Sequence, residues 1–220
     1  MKVRSRIALA ARRSGRNPES VRLIAVTKSV DSLIARELFA AGVPDFGENR
    51  LQAAAPKLEA LSDLPIRWHF IGRLQTNKAR KVLERFEEIH SLDRLDLLEA
   101  IERIPEEQLP KRVRAYLQVN VSGETAKAGV TPEEARRLAE RLRASRRVDW
   151  VGLMTLAPES EDPEAARPVF AGLRALGERL CDEFGLASVR LSMGMSNDYP
   201  VAVEEGATDV RIGGALFEGL

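Results

Sequence analysis

The sequence predicts an α/β protein built as a single (β/α)8 barrel, the TIM-barrel architecture. Eight short apolar runs recur along the 220 residues, and helical segments separate almost all of them. The runs are continuous rather than alternating in apolar character, which is typical of parallel strands buried on both faces. Alternation of strand and helix predicts one parallel sheet with the helices outside it. Eight such units favour a closed barrel over the alternative, an open doubly wound sheet.

The predicted strands follow one another in the order RLIAVTK, PDFGE, RWHFIG, EEIHSL, VRAYLQVNV, VDWVGLMTL, SVRLSMG and TDVRIG. Helices such as LIARELFAAG and LRALGERLCDEFG end in glycine, which supplies the left-handed residue that terminates a helix. The N-terminal segment reads as an extra amphipathic helix, because its apolar stretch IALAA is too short for a secretory signal. Since no linker or compositional break divides the chain, we predict one domain over residues 1–220.

Composition excludes several classes of protein. The 34 basic and 33 acidic residues nearly cancel, which argues against a polybasic nucleic-acid-binding protein. No segment reaches the roughly 18 apolar residues of a membrane span. Cys181 is the only cysteine and cannot form an internal disulfide, so we predict a cytoplasmic location. His69 and His90 lack a spaced cluster of further ligands, so we predict no metal site.

The first predicted strand ends on Lys28, at the end of the barrel where enzymes of this fold carry their chemistry. A lysine amine at this mouth is expected to be partly desolvated, and it can form a Schiff base with an aldehyde. The alternative is a lysine whose stem lies along the strand end while its charge stays in water. The strand alone does not decide between the two.

Two glycine-rich loops near the C-terminus indicate a phosphate site. SMGMSN follows the seventh predicted strand and RIGGAL follows the eighth, and these are the positions at which barrels often bind phosphate. Gly213 and Gly214 would let backbone N–H groups approach an anion closely, although tight turns alone could also require them. An amine and a phosphate pocket at one mouth suggest either a phosphosugar held as a lysine imine or pyridoxal 5′-phosphate (PLP).

Arg211 favours PLP. It lies two residues before Gly213 on a predicted strand, so both residues share one face and the arginine can point into the mouth. An arginine beside the pyridine nitrogen keeps that nitrogen unprotonated. The alternative is an interior arginine paired with an acid such as Asp209 or Glu48.

A set of motifs then occurs in order from about residue 20 to the C-terminus: AVTKSV, FGENRLQ, WHFIGRLQTNKAR, HSLDR, LQVNVSGETAKAG, GLMTLAP, LSMGMSNDY and VRIGGALF. Each motif is short, but the ordered set resembles the YggS/PROSC-type pyridoxal phosphate homeostasis proteins. The resemblance implies a barrel like the N-terminal domain of bacterial alanine racemase, with PLP held covalently.

The resemblance also implies which residues bind the cofactor. Lys28 would form the Schiff base, Arg211 would face the pyridine nitrogen, and the ring would lie against two further side chains. The remaining implied residues are Asn49 and Met154 for the ring and Ser192, Ser196, Gly213 and Gly214 for the phosphate. The family often has threonine where Gly214 stands, so one hydroxyl contact to phosphate is expected to be lost. It often has histidine where Arg73 stands, and no role is carried over to that position.

The family implies PLP supply and homeostasis rather than catalysis, and we predict no catalytic residue. A racemase needs acid–base groups on both faces of the ring. In alanine racemase a tyrosine from a C-terminal β-domain supplies one of them, and we expect no such domain in this chain, whose sequence is given to Leu220. Tyr116 lies in a predicted strand, which leaves Tyr199 as the one conceivable substitute. Arg211 also argues against catalysis, because an unprotonated pyridine is a poorer electron sink.

We therefore predict a monomeric PLP carrier that can supply PLP-dependent apo-enzymes. The main alternative is a PLP-dependent, racemase-like enzyme, and a lysine-imine aldolase without PLP is a third. The sequence does not tell whether a surface lysine binds a second PLP weakly; such lysines are Lys57, Lys78, Lys81 and Lys127.

Overall fold

Eight parallel strands close into a barrel in chain order, with β1 paired to β2 on one side and to β8 on the other. The computed structural model describes residues 2–217, so Met1 and residues 218–220 of the predicted domain lie outside the described residues. The strands are β1 (Arg22–Val26), β2 (Asp45–Glu48), β3 (Arg67–Phe70), β4 (Glu88–Leu92), β5 (Val113–Gln118), β6 (Val148–Met154), β7 (Arg190–Ser192) and β8 (Asp209–Ile212). All eight predicted runs form strands, and the predicted closed barrel is confirmed.

A helix follows every strand. The helices are α1 (Lys2–Arg13), α2 (Ser32–Ala40), α3 (Leu51–Ala60), α4 (Ala79–Leu83), α5 (Leu95–Glu102), α6 (Pro132–Arg143), α7 (Arg167–Phe184), α8 (Tyr199–Glu204) and α9 (Gly214–Phe217). Local chemistry sets several ends: Asp31 accepts from two backbone N–H groups at the start of α2, and Gly185 ends α7 with a φ of 64°. Within residues 2–217, none of the helices has both the length and the apolar character that a membrane crossing needs.

The predicted N-terminal helix α1 lies outside the barrel and packs against α8. Its buried residues are Val3, Ile7, Ala10 and Ala11, which recur at helical spacing and form one apolar face. The opposite face is rich in arginine. The helix therefore belongs to the outer layer of the fold, and its Arg4 side chain donates to the Gly42 carbonyl, close to the start of β2.

The end of the barrel where the strands begin is closed by charged side chains. Six of the eight strands start on a charged residue, and Arg22 lies at the centre of this group. Its guanidinium donates two hydrogen bonds to Glu88, at 3.0 and 2.8 Å, and a third to Asp209 at 2.5 Å. Asp209 also accepts from Arg190 at 2.7 Å. This ionic layer occupies the N-terminal end, and barrels of this fold carry their ligand chemistry at the opposite end.

Candidate functional site

A cleft of about 820 Å³ opens at the C-terminal ends of the strands. The loops after β1, β2, β3, β6, β7 and β8 all contribute to its walls. Six of the eight predicted cofactor-binding residues line it: Lys28, Asn49, Ser196, Arg211, Gly213 and Gly214. The other two, Met154 and Ser192, are buried and do not belong to the lining. One site therefore brings together the amine, the guanidinium and both glycine-rich loops.

Lys28 lies two residues beyond the end of β1, in a turn closed by a hydrogen bond from Val30 N–H to the Thr27 carbonyl at 3.2 Å. Its side chain lines the cleft and is exposed. The expectation of a partly desolvated lysine is therefore wrong. The strand pattern placed Lys28 at the end of β1, whereas the buried part of that segment stops at Thr27.

Behind Lys28 lies a buried cluster of Thr27, Glu48 and Lys57. The Lys57 ammonium donates to a Glu48 carboxylate oxygen at 2.7 Å and also to the Thr27 carbonyl. The Thr27 hydroxyl donates to the same Glu48 oxygen at 2.7 Å. Lys57 is only 7% exposed, so its description as a surface lysine is wrong. Its partner, which lies on the preceding strand, holds it inside the protein.

Arg211 is 3% exposed and contributes to the cleft wall. Its guanidinium donates to the Thr155 carbonyl at 3.0 Å and to the Ser192 hydroxyl. No carboxylate of the described chain forms an ion pair with it, because Asp209 is held by Arg22 and Arg190 and Glu48 by Lys57. Burial lowers the pKa of Arg211 to about 10, and the group stays cationic at neutral pH. The alternative of an acid-paired arginine does not hold here.

Ser192 supports Arg211 from behind the cleft. Its hydroxyl lies 2.8 Å from Nδ1 of His90, whose Nε2 lies 3.1 Å from Nδ1 of His69. Burial, together with the nearby charges of His69 and Arg211, holds the pKa of His90 well below its usual value. Ser192 is thus committed to an interior network, whereas the prediction placed it at the phosphate.

His69, Glu88 and His90 place three potential metal-ligating atoms within 4.8 Å of one another. All three side chains are buried in the barrel interior. Arg22, however, already donates to both Glu88 oxygens, and its positive charge opposes a cation at this point. We therefore interpret these histidines as part of the interior network that links the ionic layer to Ser192.

The two glycine-rich loops meet at the other side of the cleft. The Ser196 hydroxyl accepts from the Ala215 N–H at 3.3 Å, which ties the loop after β7 to the start of α9. A Cβ at Gly214 would lie 3.9 Å from the Ser196 oxygen and would meet nothing closer. This corner presents a hydroxyl, backbone N–H groups and free space, the components that a phosphate needs.

Sequence reasoning missed part of the wall. Leu156 lines the cleft on the side where Met154 was predicted, and Ile71 and Asp198 also contribute. Asp198 is buried, and burial raises the pKa of its carboxyl group, although a 2.6 Å hydrogen bond from the Met195 N–H opposes the shift. The motifs GLMTLAP and SMGMSNDY contained Leu156 and Asp198, but residues beyond a strand end carry no periodic signal that shows their direction.

The chain is similar to known proteins over its whole length. A family model described as "Alanine racemase, N-terminal domain" matches residues 2–220. A pyridoxal phosphate homeostasis protein of Aquifex aeolicus is 44% identical, over 98% of this chain and 94% of that protein. Another, from Pseudomonas aeruginosa, is also 44% identical, over 98% of this chain and 92% of its own. The chain belongs to the pyridoxal phosphate homeostasis protein family. The resemblance inferred from the ordered motifs is confirmed.

Solved structures agree with this membership of the pyridoxal phosphate homeostasis family. PipY of Synechococcus elongatus PCC7942, in a structure with PLP bound, is 40% identical with a TM-score of 0.83, covering 98% of this chain and 99% of that one. An alanine racemase of Clostridium difficile 630 has a TM-score of 0.74 at 14% identity, over 97% of this chain and 55% of that one. The second comparison shows the barrel fold alone.

Neither tyrosine of this homeostasis-family protein lines the cleft. Tyr116 stacks on His90 with ring centroids 4.2 Å apart and donates to Asp209 at 3.0 Å, deep in the barrel. Tyr199 is 1% exposed, and its hydroxyl has no hydrogen-bond partner among the residues that the structure describes. The Tyr199 hydroxyl, the one acid–base group that the sequence offered, therefore does not reach the cleft.

Proposed function

We propose that this protein binds PLP in the cleft, with Lys28 joined to its aldehyde, and acts in PLP homeostasis and supply rather than in catalysis. The observation that carries the proposal is the convergence of the Lys28 amine, the Arg211 guanidinium and the Ser196–Gly214 corner on one cleft. Family membership supports it, since the relatives named above are pyridoxal phosphate homeostasis proteins. The PLP-containing structure of PipY supports the choice of cofactor.

The residues present fit the groups of PLP. Arg211 is a buried cation without a carboxylate partner in the described chain, so a pyridine nitrogen facing it would accept a hydrogen bond and stay unprotonated. Ser196 and the backbone at Gly213 and Gly214 would hold the phosphate, and Asn49 would line the ring. When bound, PLP supplies an aldehyde that an amine can capture and later release.

Two observations favour a carrier over a racemase-like enzyme. Both tyrosines lie away from the cleft, so they give the second face of a bound ring no acid–base group. Arg211 would leave a bound pyridine unprotonated, the form that withdraws electrons poorly. Met154 and Ser192 act from behind the lining in this proposal, Ser192 by orienting Arg211.

We also propose that the protein works in the cytoplasm as a monomer and supplies PLP-dependent apo-enzymes. The exposed position of Lys28 supports transfer, because an acceptor amine can reach it from solvent. The lone, half-buried Cys181 supports a reducing compartment.

The test is the visible absorption spectrum of the purified protein with PLP, before and after borohydride. We expect the wild type to show an imine band that borohydride removes, with the label fixed on Lys28. Lys28→Ala should lose the band, and Lys78→Ala, at an exposed lysine outside the cleft, should keep it. Retention of the same band by Lys28→Ala would refute the assignment. Exchange of the α-proton of alanine in heavy water would instead establish the racemase-like alternative.

A further inference from the structure

Every polar group of Thr27, the residue before Lys28, makes a hydrogen bond. The Thr27 N–H donates to the Gly47 carbonyl at 3.1 Å, and its hydroxyl donates to Glu48 at 2.7 Å. Its carbonyl accepts from the Val30 N–H at 3.2 Å and from the Lys57 ammonium. The peptide that leads into Lys28 is therefore held from the strand side, from the turn side and from α3.

Stability is a weak explanation for this cluster. Glu48 is 1% exposed and Lys57 is 7% exposed, so both charges have been removed from water. The attraction within a buried ion pair roughly offsets the cost of desolvating it, and well-packed apolar residues often serve as well or better. A buried pair is better attested as a device that fixes one conformation. Here the carbonyl that it fixes belongs to the peptide bond preceding Lys28.

The proposed site requires a Lys28 side chain that is exposed and yet correctly oriented, and the cluster allows both. Lys28 has to be exposed, because PLP must enter and leave through the open cleft. A long exposed side chain on a loose turn would sample many directions, and capture depends on holding the reacting atoms close together in the correct orientation. A rigid backbone beneath a mobile side chain narrows the directions of the amine without closing the cleft.

We propose that Lys57 and Glu48 are positioning residues for Lys28, acting through Thr27 to direct its amine at the aldehyde of PLP. The proposal rests on the proposed function of Lys28. In the step concerned, the unprotonated Lys28 amine adds to the aldehyde carbon, and the adduct loses one water molecule to leave a C=N bond. Lys57 exchanges no bond in this step, and its ammonium stays on the Thr27 carbonyl and on Glu48.

The test compares capture with simple binding. The rate of imine formation with PLP is followed by absorbance, and the equilibrium affinity is measured for pyridoxine 5′-phosphate, which has an alcohol in place of the aldehyde. Lys57→Met removes the two hydrogen bonds of the ammonium, and Thr27→Val removes the hydroxyl bond to Glu48, each with little change in side-chain size. We expect each to slow imine formation about tenfold or more, with pyridoxine 5′-phosphate affinity kept within about twofold.

Two controls match these variants. Thr27→Ser keeps the hydroxyl that donates to Glu48, and Lys81→Met removes an exposed lysine of α4 that lies outside the cleft. Both should capture PLP at the wild-type rate. Thr27→Val alone decides the question if Lys57→Met does not fold.

The outcomes are distinct. If the wild type attaches PLP to Lys28 and both test variants do so at the same rate, the positioning role is refuted while the proposed function stands. An equal loss of pyridoxine 5′-phosphate affinity would also overturn it, because the cluster would then hold the whole cleft. If the wild type attaches no PLP to Lys28, the proposed function fails first and the inference fails with it.

Discussion

Replacing Gly214 with threonine tests whether the start of α9 contacts the phosphate of PLP. A Cβ at this position would lie 3.9 Å from the Ser196 oxygen and would meet nothing nearer. The backbone here is not in the left-handed region that favours glycine. Threonine therefore fits without strain, and its hydroxyl would reach the same corner as Ser196. The family resemblance implies threonine at this position, so the variant restores the contact expected to be missing.

The size of the effect follows from the charge of the acceptor. A hydrogen bond to a charged group contributes about 1.5–3 kcal/mol. Ordering the threonine side chain costs about 0.5–1 kcal/mol of rotamer freedom. The net gain of about 1–2 kcal/mol corresponds to a Kd for PLP lowered by about five- to thirtyfold.

The assay measures binding in the Lys28→Ala background, where the proposed imine is not expected to form, so that contacts to the phosphate contribute a larger share of the affinity. Equilibrium dialysis then gives the Kd for PLP of the Gly214→Thr and Gly214→Ala variants. Gly214→Ala carries the same Cβ and lacks the hydroxyl, so it should bind like the parent. Equal Kd values for the alanine and threonine variants would refute the reasoning, and weaker binding by threonine would place the phosphate elsewhere.

Two further predictions concern the barrel itself. Arg22→Met leaves Glu88 and Asp209 buried without their shared donor and should lower the free energy of unfolding by about 3–5 kcal/mol. The control Arg36→Met, at the exposed ion pair with Asp63, should lower it by less than about 1 kcal/mol. Denaturant unfolding curves of the two variants and the wild type give these values. Burial opposes ionisation of Glu88, but the hydrogen bonds from Arg22 outweigh it and lower its pKa, so this stabilisation is present above the unfolded pKa and lost as pH falls. The difference in free energy of unfolding between the wild type and Arg22→Met should therefore become smaller in acid. A difference that does not change with pH would contradict the role given to the Arg22–Glu88 interaction. Tyr199→Phe removes a buried hydroxyl that has no partner in the described chain, so it should raise the free energy of unfolding by about 1 kcal/mol. Imine formation with PLP should not change. A lower free energy of unfolding in the same denaturant curves would show that the hydroxyl has a partner.

The fold could be predicted because its signals are local. Continuous apolar runs marked the strands, and glycines marked helix ends, as at Gly42 with a φ of 82° and at Gly185 with a φ of 64°. The number of strand–helix units then favoured a closed barrel over an open doubly wound sheet, because eight such units are the number that a (β/α)8 barrel contains. The same reasoning located Lys28, Arg211 and Gly214 at one end of the barrel, because it needed only the strand ends.

The parts that sequence reasoning missed depend on the direction of single side chains and on pairing across elements. Ser192 and Ser196 belong to one short motif, but Ser192 is the last residue of β7 and bonds to interior side chains, whereas Ser196 lies in the following loop and faces the cleft. Lys57 sits on a helix with the pattern of an outer-layer element, and its burial follows from Glu48, which comes from the preceding strand. No periodicity in either segment carries that information.

The geometry of the cleft favours reversible capture over catalysis for a physical reason. An enzyme gains rate from groups that contact the reacting atoms on both faces and from exclusion of water. Here the amine is exposed, the neighbouring tyrosines are turned into the protein, and Arg211 is held from behind by Ser192. In the proposed complex, rigid parts of the barrel would hold the ends of PLP, while Lys28 would stay open to solvent. Under this proposal an acceptor amine could reach the captured aldehyde from solvent, which is what a carrier requires and what a racemase would have to prevent.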